Sequence, residues 1–179
     1  PLHGRHQGDN ASIAVMAVEE FFDAPIADSV VNEGLASVEM PGRFEVMGHQ
    51  PLVIIDGAHN PAGADVCAHV FFEDFTIAGR RTLVVGSLRG REPIDMLSAL
   101  RADEFDRVIC CTAPSPRAVP ASELAASARE MGCERVDVVD DVAEACRRAT
   151  GDSGEDDAVL IAGSLYVVGS ARAHLRRSL

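Results

Sequence analysis

The chain has 179 residues, 47 % of them hydrophobic, and a formal charge of −12; it is long enough for one domain with a sizeable core and too apolar for general disorder. The excess of acid argues against nucleic acid or an anionic membrane surface as partner. All 16 basic residues are arginine, which excludes a Schiff-base lysine or a P-loop lysine within this chain. The five cysteines include no C-x-x-C pair. A disulfide framework or structural zinc site is not expected, and a reducing, cytoplasmic interior is. No stretch is long and apolar enough to span a membrane, and no signal peptide is legible.

In chain order, Gly4 to Asn10 is polar and leads into a helix from about Asn10 to Phe22, with Ile13, Ala14, Ala17, Val18 and Phe21 on one face. Pro25 breaks the pattern, and Ile26 to Leu35 reads as a second helix. Two such helices cannot bury both apolar faces on each other and stand alone. Residues 1–37 are therefore expected to be the tail of a truncated domain, in keeping with a chain that opens at Pro1. Residues 38–179 are expected to form the intact unit. It begins with a hairpin, Arg43 to Met47 against Leu52 to Ile55. Helices over Ala62–Phe72, Ile94–Leu100, Ala121–Met131, Val142–Ala149 and Leu165–Leu175 then alternate with strands over Thr82–Gly86, Arg107–Cys111, Arg135–Val139 and Ala158–Ala162. Alternation of this kind predicts an α/β, Rossmann-like sheet of six strands, mostly parallel, with one antiparallel strand and helices on both faces. The acidic segment Gly151–Asp157 reads as an exposed loop.

The richest stretch is Pro51 to Pro61. A short β-branched run stops at Asp56-Gly57, and His59 and Asn60 follow before Pro61, a residue suited to the first helical position. In an open α/β sheet, ligands bind beyond the carboxyl ends of the strands. Four such ends point at one edge: Asp56–Asn60, Gly86–Arg91, Thr112–Arg117 and Gly163-Ser164. Each also has a plainer reading: Asn60 and Ser164 as helix caps, Arg117 as half of a surface salt bridge, Gly86–Arg91 as a flexible loop. The cysteines read as core. His3 and His6 alone do not make a metal site, and His6 with Asn10, four residues on, fits a capped helix start.

The string Asp56-Gly57-Ala58-His59-Asn60-Pro61, preceded by Pro41-Gly42-Arg43-Phe44-Glu45, resembles the signature of folylpolyglutamate synthase/dihydrofolate synthase, ATP-dependent enzymes of the Mur ligase superfamily. Pro114–Ala118 before Pro120–Leu124, and Gly163–Gly169, fit the same pattern, and Gly4-Arg5-His6 with Asn10 resembles the end of the family's central ATPase domain. Muramyl ligases usually carry tyrosine where this chain has Gly57, which favours the folate branch. Arg89-Gly90-Arg91-Glu92 departs from the Asp-Lys-Asp-like run common in the family.

The resemblance implies transfer of phosphate from ATP, with Mg²⁺, to the carboxylate of a pteroate or folyl glutamate, then attack by the amine of L-glutamate. It implies Asn10 at the adenine, Arg43 at the nucleotide phosphates, and Asp56 at the ribose or orienting the closed domain pair. His59 matches a position needed for activity, and Ser164 and Tyr166 match the region of the amino-acid site. The P-loop, the metal ligands and most of the folate pocket would belong to a missing upstream ATPase domain. The fragment alone would then be inactive and the full-length protein a monomer. Two alternatives remain open: another amide ligase of the superfamily, and a free-standing α/β module that binds a nucleotide or metabolite without chemistry.

Overall fold

The computed structural model describes residues 3–178. The chain divides into two units, Pro1–Pro41 and Gly42–Leu179. The first holds α1 (Arg5–Phe22) and α2 (Asp28–Ala36). α1 starts five residues before the expected Asn10, because its polar first turns, mostly exposed, need no apolar face to continue the helix. Among the described residues of this unit, only Gln7 of α1 is buried, and Ile13, Met16, Phe21, Phe22 and Val30 all stand more than half exposed.

The second unit carries β1 (Glu45–His49), β2 (Leu52–Ile55), α3 (Pro61–Glu73), β3 (Arg81–Val85), α4 (Pro93–Ala99), β4 (Arg107–Cys110), α5 (Ala121–Glu130), β5 (Val136–Val138), α6 (Val142–Gly151), β6 (Ala158–Ala162) and α7 (Leu165–Ser178). The six strands run in the order β1-β2-β6-β3-β4-β5. Only β1 is antiparallel, to β2; the other pairings are parallel. The sheet therefore has the expected composition. β1 begins two residues later than the pattern suggested, since Gly42 (φ 71°) and Phe44 (φ 45°) are left-handed and turn the chain first.

Strand periodicity divides the core. Ile54, Leu83, Val85, Val108, Cys110 and Leu160 face the helices α3, α4 and α5. Their neighbours Val53, Ile55, Val84, Ile109, Val159 and Ile161 face α6 and α7. Side chains of successive strand residues point to opposite faces, so a run buried on both sides has to be continuously apolar, as these are. Cys110 and Cys111 fall on opposite faces for the same reason. All five cysteines are free and buried; burial pushes the thiols up, those of Cys110 and Cys146 to about 12. The core packs aromatically beneath α3, where Phe71 stacks on Phe105 at 5.4 Å.

The segment before β6 departs in part from expectation. α6 runs on to Gly151, and Asp152, Gly154, Glu155 and Asp156 are exposed as expected, but Asp157 at the end of the segment is buried. Its carboxylate accepts the main-chain N–H groups of Arg80 at 2.7 Å and Gly154 at 2.9 Å, and the Arg80 guanidinium at 3.0 Å. Among the described residues, no helix is long and apolar enough to cross a membrane.

Candidate functional site

The helices after β2, β3 and β4 lie on one face of the sheet, while α7, which follows β6, lies on the other. β6 sits between β2 and β3. Chains leaving adjacent strands toward opposite faces open a crevice at the strands' carboxyl ends. A cleft of about 170 Å³ lies there, lined by His59 from the β2–α3 turn, by Ser87, Arg89, Arg91 and one acid, Glu92, from the β3–α4 loop, by Arg117 after β4, and by Gly163 after β6.

The β2–α3 turn is built by its own side chains. Asp56 Oδ1 accepts the Ala58 N–H at 2.7 Å and Oδ2 the Phe44 N–H at 2.8 Å. Asn60 caps α3, accepting from the Gly63 N–H at 2.8 Å, with Pro61 at the first helical position. From α3, the buried Cys67 thiol hydrogen-bonds to Asp56. Burial pushes that thiol well above its ordinary range, and the Asp56 charge and hydrogen bond push it further. Cys67 is thus a protonated donor rather than a nucleophile. His59 is exposed, and its Nδ1 lies 2.9 Å from the Gly57 carbonyl. A carbonyl only accepts, so Nδ1 carries hydrogen, and in the neutral ring Nε2 is the remaining acceptor.

Three cations bring charge to the cleft. Arg91 Nη1 donates to the His59 carbonyl at 3.0 Å, tying the two loops. Arg89 meets Glu123 at 3.5 Å on the surface. Arg117 Nη2 lies 3.5 Å from the Arg89 carbonyl. Neither Arg91 nor Arg117 has an acidic partner among the ion pairs of the described residues; the surface salt bridge expected of Arg117 does not form. The loops are stitched by Arg89 N–H to Arg117 O at 2.7 Å and Val119 N–H to Ser87 O at 3.0 Å. Beside them, the Ser87 hydroxyl is buried and has no hydrogen-bond partner. A buried hydroxyl without a partner costs about 1–3 kcal/mol, so its place in a cation-lined cleft marks it for a ligand acceptor. Sequence reading named the Gly86–Arg91 stretch but did not single out Ser87 within it, two residues past the end of β3.

Of the other candidates, Arg43 is exposed at the head of the Gly42–Phe44 turn and forms no ion pair or hydrogen bond among the described residues. Ser164 is fully buried, and its hydroxyl accepts the Tyr166 N–H at 3.1 Å, a capping role at the start of α7. Tyr166 is half exposed. Asn10 belongs to the first unit, where its amide donates to Gln7 Oε1 at 3.3 Å. The structure thus brings His59 together with Ser87 and the arginines and sets Asp56 beneath their turn. No group of three or more His, Cys, Asp or Glu side chains among the described residues is placed to hold a metal ion.

Comparison with known proteins bears on the family and the fold. The model of the Mur ligase, glutamate ligase domain, matches residues 42–165. The dihydrofolate synthase/folylpolyglutamate synthase of Mycobacterium tuberculosis is 35 % identical over 190 residues, covering 96 % of this chain and 39 % of that protein. A crystal structure of the Mycobacterium tuberculosis folylpolyglutamate synthase with ADP and AMPPCP superposes with TM-score 0.89 at 36 % identity, over 98 % of this chain and 41 % of that one. The bifunctional enzyme of Yersinia pestis with AMPPNP and a Mn ion gives TM-score 0.77 at 30 % identity, over 92 % and 38 %. The chain spans about two fifths of the length of these proteins. A match over most of the second unit, on a sheet whose strand ends carry the cleft, makes this chain a member of the Mur ligase glutamate-ligase domain family, with folylpolyglutamate and dihydrofolate synthases among its relatives.

Proposed function

We infer that the chain is the glutamate-ligase part of a longer ATP-dependent enzyme that joins L-glutamate to dihydropteroate, to folyl glutamates, or to both. The observation that carries this reading is the cleft at the β2, β3, β4 and β6 strand ends, where His59, the partnerless Ser87 hydroxyl and two cations without acidic partners converge. An amino acid with two carboxylates matches that chemistry, because guanidinium groups bind carboxylates through charge-assisted, often bidentate hydrogen bonds.

In the reaction, ATP gives its terminal phosphoryl group to the acceptor carboxylate, forming an acyl phosphate and ADP. The glutamate amine then attacks the acyl carbon. A C–N bond forms, the C–O bond to phosphate breaks, inorganic phosphate leaves, and the amine sheds a proton. Arg43, exposed and without an acidic partner, contributes charge to the nucleotide phosphates. Arg91 and Arg117 hold glutamate by its carboxylates. His59, with Nε2 as its open acceptor, orients the amine or takes its proton. Asp56 fixes the turn that presents His59, Ser164 is spent on capping α7, and the half-exposed Tyr166 adds an amino-acid contact. A divalent metal supplies charge neutralisation at the phosphates when bound. The described residues offer no ligand cluster for it.

The decisive assay follows incorporation of labelled glutamate, dependent on ATP, into dihydropteroate and tetrahydrofolate by the full-length protein. Loss of incorporation in His59→Ala and Arg117→Ala variants that retain the fold supports the reading. No incorporation by the wild type with either acceptor overturns it. Residues 1–179 alone carry no P-loop sequence and are expected to show no ATP hydrolysis; measurable turnover by the isolated chain refutes that part.

A further inference from the structure

Arg43 sits in a turn of unusual backbone. Gly42 has φ 71° and Phe44 has φ 45°. A non-glycine residue in the left-handed region carries strain and persists only where its surroundings hold it. The fastenings are visible. The Gly42 carbonyl accepts the Gly57 N–H at 2.7 Å, and the Phe44 N–H donates to Asp56. The Phe44 ring is buried 5.6 Å from Phe75.

A further fastening comes from far along the chain. Glu45 Oε2 accepts the Gly42 N–H at 2.7 Å, closing the turn on itself. The same carboxylate receives Arg172 Nε from the middle of α7, at 2.7 Å and 3.0 Å to its two oxygens. Both partners are about four-fifths buried. Only the Arg43 side chain, between these fixed points, is left exposed.

We propose that the Glu45–Arg172 pair is a positioning device that locks the Gly42–Phe44 turn and so holds Arg43 ready for an anionic phosphate group. Glu45 and Arg172 need not touch the ligand. They act through the turn, by removing conformations in which Arg43 swings away before binding. The inference rests on the phosphate role given to Arg43 above.

The test compares five forms of the full-length enzyme: wild type, Arg43→Ala, Glu45→Gln, the double variant of these two, and Arg172→Met as a second approach to the pair. KM for ATP, kcat, and deuterium uptake over residues 42–48 are read in each. Glu45→Gln and Arg172→Met are expected to raise KM for ATP about tenfold, the equivalent of about 1.4 kcal/mol, to leave kcat within about twofold, and to speed exchange across the turn. In an Arg43→Ala background, Glu45→Gln is expected to add less than about twofold, because the device has nothing left to position. Unchanged KM and unchanged exchange in both pair variants, with Arg43→Ala impaired, overturns the proposal and leaves the role of Arg43 standing. Effects of Glu45→Gln and Arg43→Ala that multiply in the double variant overturn it too, since they assign Glu45 a general structural role. An Arg43→Ala enzyme with normal KM for ATP overturns the phosphate reading itself, and the proposal with it.

Discussion

The Asp56 carboxylate receives the main-chain N–H of Phe44 at 2.8 Å, across twelve residues of chain. With its other oxygen on the Ala58 N–H, one side chain joins the turn presenting Arg43 to the turn presenting His59. Asp56→Ala leaves two amide donors without this acceptor and is expected to cost about 2–3 kcal/mol, read by urea denaturation of the chain. Asp56→Asn keeps one carbonyl acceptor but sets an NH₂ group against the second donor, so its cost should be smaller. In the full-length enzyme both variants are expected to lose more activity than stability, because two loops shift together.

Ser87 separates binding from folding. Its buried hydroxyl has no partner, so Ser87→Ala removes an unsatisfied group and should raise stability by about 1 kcal/mol. The same substitution should raise KM for glutamate several-fold in the full-length enzyme and leave KM for ATP unchanged. Thermal denaturation and steady-state kinetics on one variant check both halves.

These two residues show what the sequence made legible. The alternation of β-branched runs with helical stretches set the sheet, since strands buried on both faces have to be continuously apolar, and β2, β6 and the Leu83–Val85 part of β3 are. The Asp56–Pro61 string announced a turn rich in functional groups. Its inner wiring was not legible, because the Phe44–Asp56 and Glu45–Arg172 contacts join residues far apart in the chain. Ser87 went unremarked within its loop for a related reason. A serine after a strand reads as an ordinary loop residue until burial and the lack of a partner single it out. Asp157 escaped as well: an acid in a glycine-bearing, acidic run reads as solvated, yet its carboxylate is filled by main-chain donors.

Asp157 has a direct test. The Gly154 and Arg80 main-chain N–H groups, with the Arg80 guanidinium, hold its carboxyl below the usual carboxylate range. Asp157→Ala should cost about 2 kcal/mol and loosen the entry to β6, seen as faster hydrogen exchange at Ala158 and Val159. Arg80→Ala, which removes only the exposed guanidinium and keeps the main-chain donor, should cost under about 1 kcal/mol.

The Glu45 pair predicts a pH dependence. Burial works against ionisation of Glu45, but the Arg172 hydrogen bond, the Gly42 N–H and the nearby arginines outweigh it, so its pKa lies below the ordinary range of a glutamate. A carboxylate with a lowered folded-state pKa adds stability above its unfolded value, and that contribution disappears as pH falls through the folded value. The wild type should therefore lose stability more steeply than Glu45→Gln on acidification below about pH 4.5, and the two curves should run parallel between pH 6 and 8. Urea midpoints across that range would show it.

Gly163 marks a close approach between strand ends. It has φ 101°, and a Cβ there would lie 2.7 Å from the Gly86 carbonyl oxygen. Both the backbone conformation and the contact with main chain oppose a side chain, so Gly163→Ala should cost about 1–3 kcal/mol. Gly57→Ala should cost less, although its Cβ would come within 2.5 Å of Leu165. That atom ends a flexible, half-exposed side chain that can turn aside.

The strand order bears on how the protein is made. β6 hydrogen-bonds to both β2 and β3, yet of the six strands of this sheet it leaves the ribosome last. Until Ala162 has emerged, the nascent chain holds an edge hairpin and a β3-β4-β5 sheet with no ladder between them, each exposing unpaired main-chain groups. Synthesis halted a few residues before Ala158 would release two half-sheets rather than a smaller domain, and a ribosome stalling over the final helix would delay the whole sheet.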